Sequence, residues 1–199
     1  MALASAPFTN SIPGAYWTFP ISCANKCQFS RQGFAEETFI EKDGSIKQVE
    51  RTSQGLYGKP LPGEGEYFAS ICCGLRAKNG NRFYGIFKFG HGDEPYLTQT
   101  GKDREENPDQ YIANFNDGCS ATYKYFDLRK TVAFGVKVNG KAQGKLILQY
   151  GDNKVEQEVN VDNREALIEF SIDKGSEKDQ VTIFYEGKGA LDLLKLVLK

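Results

Sequence analysis

The sequence contains a single histidine and few prolines, and it has no block of like charge and no long apolar run. Its 199 residues include 1 His, 7 Pro, 25 Lys or Arg and 26 Asp or Glu, for a formal net charge of −1 at pH 7. Because there is one histidine, only one position could supply the base of a nucleophile–histidine catalytic system. The balanced charge indicates neither nucleic acid nor an anionic membrane as a partner. No apolar run is long enough to predict a membrane-spanning helix.

The amino-terminal residues and the cysteines bear on location. Residues 1–8 lack a basic segment followed by a long apolar one, so no signal peptide is predicted. The five cysteines are an odd number, and the adjacent pair Cys72 and Cys73 would point to opposite faces of a strand. Cys23 and Cys27 have no second Cys or His pair to complete a zinc site. Reduced and mostly buried thiols are expected, which favours a reducing compartment such as the cytoplasm.

Short β-type runs separated by turn residues dominate the second half of the chain. At a roughly 8–12-residue spacing, they predict an all-β domain built as an antiparallel sandwich or barrel. Turn formers such as Asn139-Gly140 and Gly187–Gly189 are expected to separate the strands. The last run also fits helical spacing, so a buried helix is the alternative there. The predicted strands are Tyr67–Leu75, Arg82–Phe89, Ser120–Leu128, Thr131–Val138, Lys145–Tyr150, Val155–Val161, Leu167–Ile172, Val181–Tyr185 and Leu191–Leu198.

The first third of the chain carries weaker signals. Prolines and glycine break any period in residues 1–35, which are predicted to be irregular. Thr38–Glu50 is predicted to be a hairpin, because Asp43-Gly44 suits a two-residue type I′ turn. Gln54–Glu66 is rich in Gly and Pro and is expected to be a linker or a surface loop.

Residues for catalysis are hard to find. His91 lies in the polar, acidic segment Gly90–Gln110, where a solvated histidine is the expected state. A metal site made with Asp93 and Glu94 would match no familiar ligand spacing. The acidic pairs lie in charged, loop-like sequence, so nothing predicts two carboxylates held across a cleft for glycoside hydrolysis. We expect no enzyme activity from this chain on its own.

Sugar binding requires aromatic rings and a few amide or carboxylate groups. Tyr111, Tyr123, Tyr125, Asn114 and Asn116 are clustered in the sequence near a junction of loop and strand, and they are the candidate sugar-binding residues. The alternative is that tyrosines on a strand belong to the core with the hydroxyl at its rim. Spacing alone favours that alternative. Alternation along Ser120–Leu128 places Ala121, Tyr123 and Tyr125 on one face of the strand and Thr122, Lys124 and Phe126 on the other.

Several stretches resemble known families. Asp109–Leu128 is similar to the "Tyr-Ile-x-x-x-x-Asp-Gly…Tyr-Lys-x-Phe-Asp-Phe" pattern of carbohydrate-binding module family 6, and Phe184–Leu193 to its closing "Phe-x-Gly-x-Gly-x-Leu-Asp" strand. Upstream, Phe29–Glu36, Asp43–Gly55 and Pro60–Gly63 resemble the junction between propeller and module in family 43 glycoside hydrolases, the arabinofuranosidases and xylosidases. The resemblance extends from about Gln28 to Lys199.

This resemblance implies a jelly-roll β-sandwich that binds xylan-like polysaccharides of the plant cell wall. Residues 1–60 would be an irregular extension with a hairpin, similar to the end of a propeller and its linker, and residues 61–199 the family 6-like module. The catalytic propeller would lie upstream, so the chain looks like a truncated or split carboxyl-terminal part of such an enzyme. A second interpretation follows, in which the module docks on a hydrolase catalytic domain through apolar residues between Tyr16 and Phe34.

Site residues carry over from the family only in part. Tyr111 matches the first aromatic position of the family's loop cleft. The second aromatic position falls near residues 163–166, which hold no aromatic side chain, and the cleft Asn falls at Ala190. The family's structural calcium ion would be held by Asp192, but its glutamate partner is replaced near Cys73.

Overall fold

The computed structural model describes residues 8–9, 15–18, 21–23, 31–79, 94–100 and 109–199. The predicted strand Arg82–Phe89 and the histidine at position 91 lie outside these ranges. The described ranges are almost entirely β-structure, as the sequence predicted, and none of their helices is long and apolar enough to cross a membrane. Two short 3₁₀ turns are Gly55–Tyr57 and Ala69–Ile71. The strands are β1 Phe8–Thr9, β2 Ala15–Thr18, β3 Ile21–Cys23, β4 Arg31–Gly33, β5 Glu36–Phe39, β6 Leu61–Pro62, β7 Gly65–Phe68, β8 Gly74–Arg76, β9 Tyr96–Gln99, β10 Gln110–Asn116, β11 Ser120–Asp127, β12 Ala133–Tyr150, β13 Asn153–Asp162, β14 Ala166–Ser171 and β15 Asp179–Leu198.

Two long antiparallel strands, β12 and β15, form the frame of the main sheet. They pair from Phe134 opposite Leu198 to Tyr150 opposite Val181. The two halves of each strand have different outer neighbours. The first half of β12 pairs with β14 and the second with β13, whereas β15 pairs first with β11 and then with β10 and β7. The long antiparallel pair of β12 and β15 therefore contributes to both layers of a β-sandwich.

The structure differs from the sequence prediction in the middle of both long strands. Asn139-Gly140 and Gly187–Gly189 were expected to be turns, but each lies inside a continuous strand. A Cβ atom on Gly140 would lie 2.5 Å from the carbonyl oxygen of Ala190, and one on Gly144 would overlap the carbonyl oxygen of Glu186. Glycine is needed at these positions because the backbones of β12 and β15 approach each other too closely for a side chain. Glycine inside a strand often marks such an approach instead of a turn.

The core lies between the layers and contains most of the large side chains. In β12, Leu146, Leu148 and Tyr150 point inward at alternate positions and are almost fully buried, as expected for a strand with one face on a core. The rings of Phe126 and Phe134 meet edge to face with their centroids 6.2 Å apart. Other fully buried rings are Phe115, Tyr123, Phe170 and Tyr185. In the described ranges Cys72, Cys73 and Cys119 are free and buried, as the sequence predicted.

The amino-terminal third has more regular structure than the sequence suggested. β1, β2 and β5 form a small sheet and β3 pairs with β4, although residues 1–35 were expected to be irregular. The predicted hairpin is reduced to one bridge between Ile40 and Ile46. Only Gly44 of its two central residues has a positive φ, 84°, so the type I′ prediction was wrong. The side chain of Asp43 instead accepts a hydrogen bond from the backbone N–H of Ser45 at 2.9 Å, which stabilises a different turn.

Two further predictions are corrected. Tyr67–Leu75 was expected to be one strand, but a 3₁₀ turn separates β7 from β8. Phe34, one of the apolar residues expected to form a docking surface, is only 6% exposed, and the guanidinium of Arg51 lies 4.9 Å from its ring centroid. The division into domains 1–60 and 61–199 stays a prediction.

Candidate functional site

The strand β10 carries three of the predicted site residues. Together with Asp192 of β15 they form what we call the β10 rim (Tyr111, Asn114, Asn116 and Asp192). β10 pairs with β9 on one side and β15 on the other, and its register with β15 shifts between Ile112 and Phe115. Asn114 lies in this bulge with a φ of 55°, a conformation that Asn tolerates better than most residues. The bulge brings Asn114 next to Asp192.

Hydrogen bonds inside the β10 rim already use its amide groups. The backbone N–H of Asn114 donates to Asp192 Oδ1 at 3.2 Å, and Asn114 Nδ2 donates to the carbonyl oxygen of Glu94 at 3.2 Å. Asn116 accepts a hydrogen bond at Oδ1 from the thiol of Cys119 at 3.2 Å. These two side chains thus hold the bulge and the β10–β11 turn in place.

Tyr111 is half-buried on the same strand. Partial burial raises the pKa of its hydroxyl, and the neighbouring Asp192 and Tyr96 act in the same direction. Tyr111 is the aromatic residue of the β10 rim, and its side chain is partly exposed to solvent.

Asp192 was the residue predicted to hold a structural calcium ion. Burial raises the pKa of its carboxyl group, and the hydrogen bond from the Asn114 backbone partly opposes that rise. Calcium takes six to eight oxygen ligands, several of them carboxylates. Within the described ranges no group of three acidic, histidine or cysteine side chains is placed to hold a metal. Calcium also accepts backbone and amide carbonyl oxygens, so calcium binding at Asp192 stays a prediction.

Tyr123 lies in the core instead of on a binding surface. Its side chain is 0% exposed and its hydroxyl donates to the carbonyl oxygen of Ala69 at 3.0 Å. Burial raises the pKa of this hydroxyl well above its ordinary value. No ring face is open to a sugar, so the sequence-based alternative of a core tyrosine describes Tyr123 better.

Tyr125 points away from the core, although alternation predicted the same face as for Tyr123. The register of β11 against β15 shifts between Lys124 and Phe126, and such a bulge reverses the direction of the side chains that follow. The Tyr125 hydroxyl donates to Glu50 Oε2 at 2.7 Å, and the ammonium of Lys178 lies 4.4 Å from its ring centroid. The hydrogen bond to Glu50, together with partial burial, raises the pKa of Tyr125 to about 12.

A groove of about 1060 Å³ lies on the solvent-facing side of β8, β11, β15 and β12, and we call it the outer groove. Cross-strand neighbours form its floor: Thr122 lies opposite both Gly74 and Thr182, and Thr182 lies opposite Gln149. One wall is the segment 48–51, whose continuation is fixed to β11 by Ser53. The Ser53 N–H donates to the Lys124 carbonyl and its hydroxyl accepts from the Lys124 N–H at 3.2 Å.

The outer groove is lined mainly by polar and charged side chains. Its charged residues are Glu50, Arg51, Arg76, Lys124, Lys178 and Asp179, and its aromatic residue is Phe184. Hydroxyl and amide groups lie between them, with the Thr122 and Thr182 hydroxyl oxygens 3.2 Å apart. Such a surface offers hydrogen-bond donors, acceptors and one ring to a polar ligand.

Comparison of the sequence with known proteins gives one clear relative. No family model matches the chain. A xylosidase/arabinosidase of Thermoclostridium stercorarium is 40% identical over 134 residues, which are 67% of this chain and 28% of that enzyme. The chain thus spans little more than a quarter of the length of the curated relative.

Comparison of the fold with solved structures matches a larger share of the chain than the sequence comparison does. A family 6 carbohydrate-binding module matches with a TM-score of 0.53 over 70% of this chain and 96% of that module, at 11% identity. The chain has the fold of a family 6 carbohydrate-binding module. A family 6 module of Clostridium stercorarium in complex with cellobiose matches with a TM-score of 0.52 over 71% of this chain and 98% of that module, at 11% identity. A family 43 arabinoxylan arabinofuranohydrolase of Bacillus subtilis, in complex with cellotetraose, matches with a TM-score of 0.57 over 85% of this chain and 34% of that chain, at 12% identity.

The recognised resemblance to a family 43-associated, family 6-like domain is therefore confirmed. The outer groove of this module was missed at the sequence level. Thr122 and Lys124 were expected on one face of β11, and they do line the groove. Nothing in the sequence, however, places Glu50 and Arg51 against that face, because the contact joins residues 71 positions apart through Ser53 and Lys124.

Proposed function

We propose that this chain is a non-catalytic module that binds plant cell-wall polysaccharide of the xylan or arabinoxylan type. The module fold and the xylosidase/arabinosidase relative support a carbohydrate ligand. The observation that carries the proposal is the outer groove, which is open to solvent and lined by hydroxyl, amide and charged groups around Phe184. Sugar sites combine such polar groups with a ring.

Gln149 gives the sharpest test of the proposed site. It is exposed on the groove floor, whereas Gln143 is exposed on the same strand outside the groove. Isothermal titration with xylo-oligosaccharides, arabino-oligosaccharides and soluble arabinoxylan should show saturable binding. We expect Gln149→Ala to weaken it about fivefold, since a lost hydrogen bond to a bound ligand costs about 1 kcal/mol, and Gln143→Ala to leave it unchanged.

Tyr111→Ala distinguishes the outer groove from the β10 rim in the same experiment. Loss of binding in Tyr111→Ala with no effect of Gln149→Ala would move the sugar site to the rim. Failure of every oligosaccharide to bind would contradict the proposed function itself. Because the proposal is non-catalytic, the same sugars should remain intact after prolonged incubation, as checked by chromatography.

A second candidate function is docking on the catalytic domain of a family 43 hydrolase. It is favoured by apolar side chains around the turn that follows β5, where Phe39 is 56% exposed, Ile46 53% and Ile40 47%. A contiguous apolar patch of this kind often marks an interaction surface. Mixing the chain with the part of the Thermoclostridium enzyme outside the matched segment should then give a complex in sedimentation velocity, and Phe39→Ser should abolish it. Absence of a complex would exclude this candidate for that partner.

A further inference from the structure

The charges in the outer groove are unevenly distributed. Its cationic side chains are Arg51, Arg76, Lys124 and Lys178, and its carboxylates are Glu50 and Asp179. The groove therefore carries two more positive than negative charges, although the whole chain has a formal net charge of −1. Clefts lined by one sign of charge concentrate ligands of the opposite sign.

Both carboxylates of the groove are held by donors within the protein. Glu50 accepts from the Lys124 ammonium at 2.8 Å and from the Tyr125 hydroxyl at 2.7 Å, and these contacts lower the pKa of Glu50. Asp179 is 6% exposed and accepts the backbone N–H of Ser176. Neither carboxylate therefore faces a ligand with its full acceptor capacity.

Two of the cations are exposed and lie towards opposite ends of the groove floor. Arg76 is opposite Ser120 on β11, and among the described residues it makes no ion pair. Lys178 is exposed at the other end, above the ring of Tyr125. Ser120 and Lys124 are four positions apart on β11, or about 13 Å along a strand. A ligand lying along β11 over Thr122 would meet a cation towards either end.

We propose that the outer groove selects glycans that carry carboxylate groups, that is, oligosaccharides with uronic acid residues. The inference rests on the proposed function, because it names the class of sugar that the groove prefers. Arg76 is the specificity residue, since a guanidinium can bind a carboxylate through two parallel hydrogen bonds. The hydroxyl and amide groups of the floor bind the neutral part of the chain.

The test compares one oligosaccharide in two chemical forms. A xylo-oligosaccharide bearing a glucuronic acid residue and the same molecule after reduction of its carboxyl group to an alcohol are titrated into the protein. We expect the acidic form to bind about tenfold more tightly at low salt. This ratio should fall towards one when the salt is raised from about 50 mM to about 500 mM, because salt screens the exposed charges.

Two matched variants distinguish a specific contact from general attraction. Arg76→Gln should abolish the preference for the acidic form while leaving the affinity for the reduced form within about twofold. Arg129→Gln removes an exposed guanidinium that pairs with Asp127 outside the groove, and it should leave the preference unchanged.

The outcomes are separable. Equal binding of the acidic and reduced forms would overturn the proposed selectivity and leave the proposed function standing. Equal loss of preference in Arg76→Gln and Arg129→Gln would also overturn it, because the preference would then reflect net charge only. Absence of binding by either form would contradict the proposed function.

Discussion

The β10 rim and the outer groove both carry polar side chains, but the asparagines of the rim are already hydrogen-bonded within the protein. In the rim, Asn114 donates to Asp192 and to Glu94, and Asn116 accepts from Cys119. In the groove, Arg76 and Gln149 are exposed on the floor of an open depression. Sequence resemblance directs attention to the rim, whereas the availability of polar groups favours the groove as the ligand site.

Tyr123 gives the largest expected effect, because it lies behind the sheet and belongs to neither surface. Tyr123→Ala should lower the free energy of unfolding by about 3–5 kcal/mol, as for other large aromatic deletions in a core. Tyr123→Phe should lower it by about 1 kcal/mol, since the Ala69 carbonyl loses a hydrogen bond. Urea denaturation measures both.

Oligosaccharide titration of the same two variants provides the control. Tyr123→Phe should bind as the parent chain does. A Tyr123→Phe protein with unchanged stability and weakened binding would return Tyr123 to the list of sugar contacts and remove the distinction between core and surface.

These tyrosines also show how far the sequence could predict the site. Alternation along β11 placed Tyr123 and Tyr125 on one face, which would be correct for a regular strand. The register shift between Lys124 and Phe126 sends Tyr125 to the other side, and no residue type in that segment announces it. The class of fold, the free buried cysteines and most strand positions were predictable because they depend on local period and composition.

Contacts between segments that are far apart in the sequence account for most of what the sequence could not predict. Gly140 and Gly189 look like turn residues, and only the pairing of β12 with β15 shows that they admit two closely spaced backbones. The wall of the outer groove, the segment 48–51, likewise lies beside β11 because Ser53 is hydrogen-bonded to the backbone of Lys124. Neither contact has a signature in the neighbouring residues.

Asp192 offers an intermediate test, aimed at the rim. Its pKa is raised above 3.8 in the folded chain, mainly by burial. As the pH rises from 3.8 through the folded pKa, Asp192 holds more of its proton in the folded state than in the unfolded state, so its contribution to the free energy of unfolding should fall across that window. Asp192→Asn should remove this fall, as measured by urea denaturation at several pH values.

The control for Asp192→Asn is Asp162→Asn, at an exposed carboxylate that pairs with Lys141. Because Asp162 lies outside the rim, Asp162→Asn should leave any effect of calcium on the melting temperature unchanged. Calcium tests the prediction that Asp192 holds a cation: calcium should then raise the melting temperature of the parent chain, and Asp192→Asn should abolish the rise. No rise in the parent chain would contradict that prediction.

The smallest expected effect concerns the wall of the groove. Tyr125 and Glu50 join the segment 48–51 to β11 through one hydrogen bond at 2.7 Å, at a partly exposed position. A double-mutant cycle of Tyr125→Phe and Glu50→Gln should give a coupling energy of about 0.5–1.5 kcal/mol for unfolding.

Lys124 also pairs with Glu50, so Lys124→Gln tests whether the wall depends on the ion pair instead. If Tyr125→Phe leaves stability unchanged but weakens oligosaccharide binding as much as Gln149→Ala, Tyr125 contacts the sugar directly. If both changes are small, the wall is held chiefly by Ser53, and the groove keeps its shape without either contact.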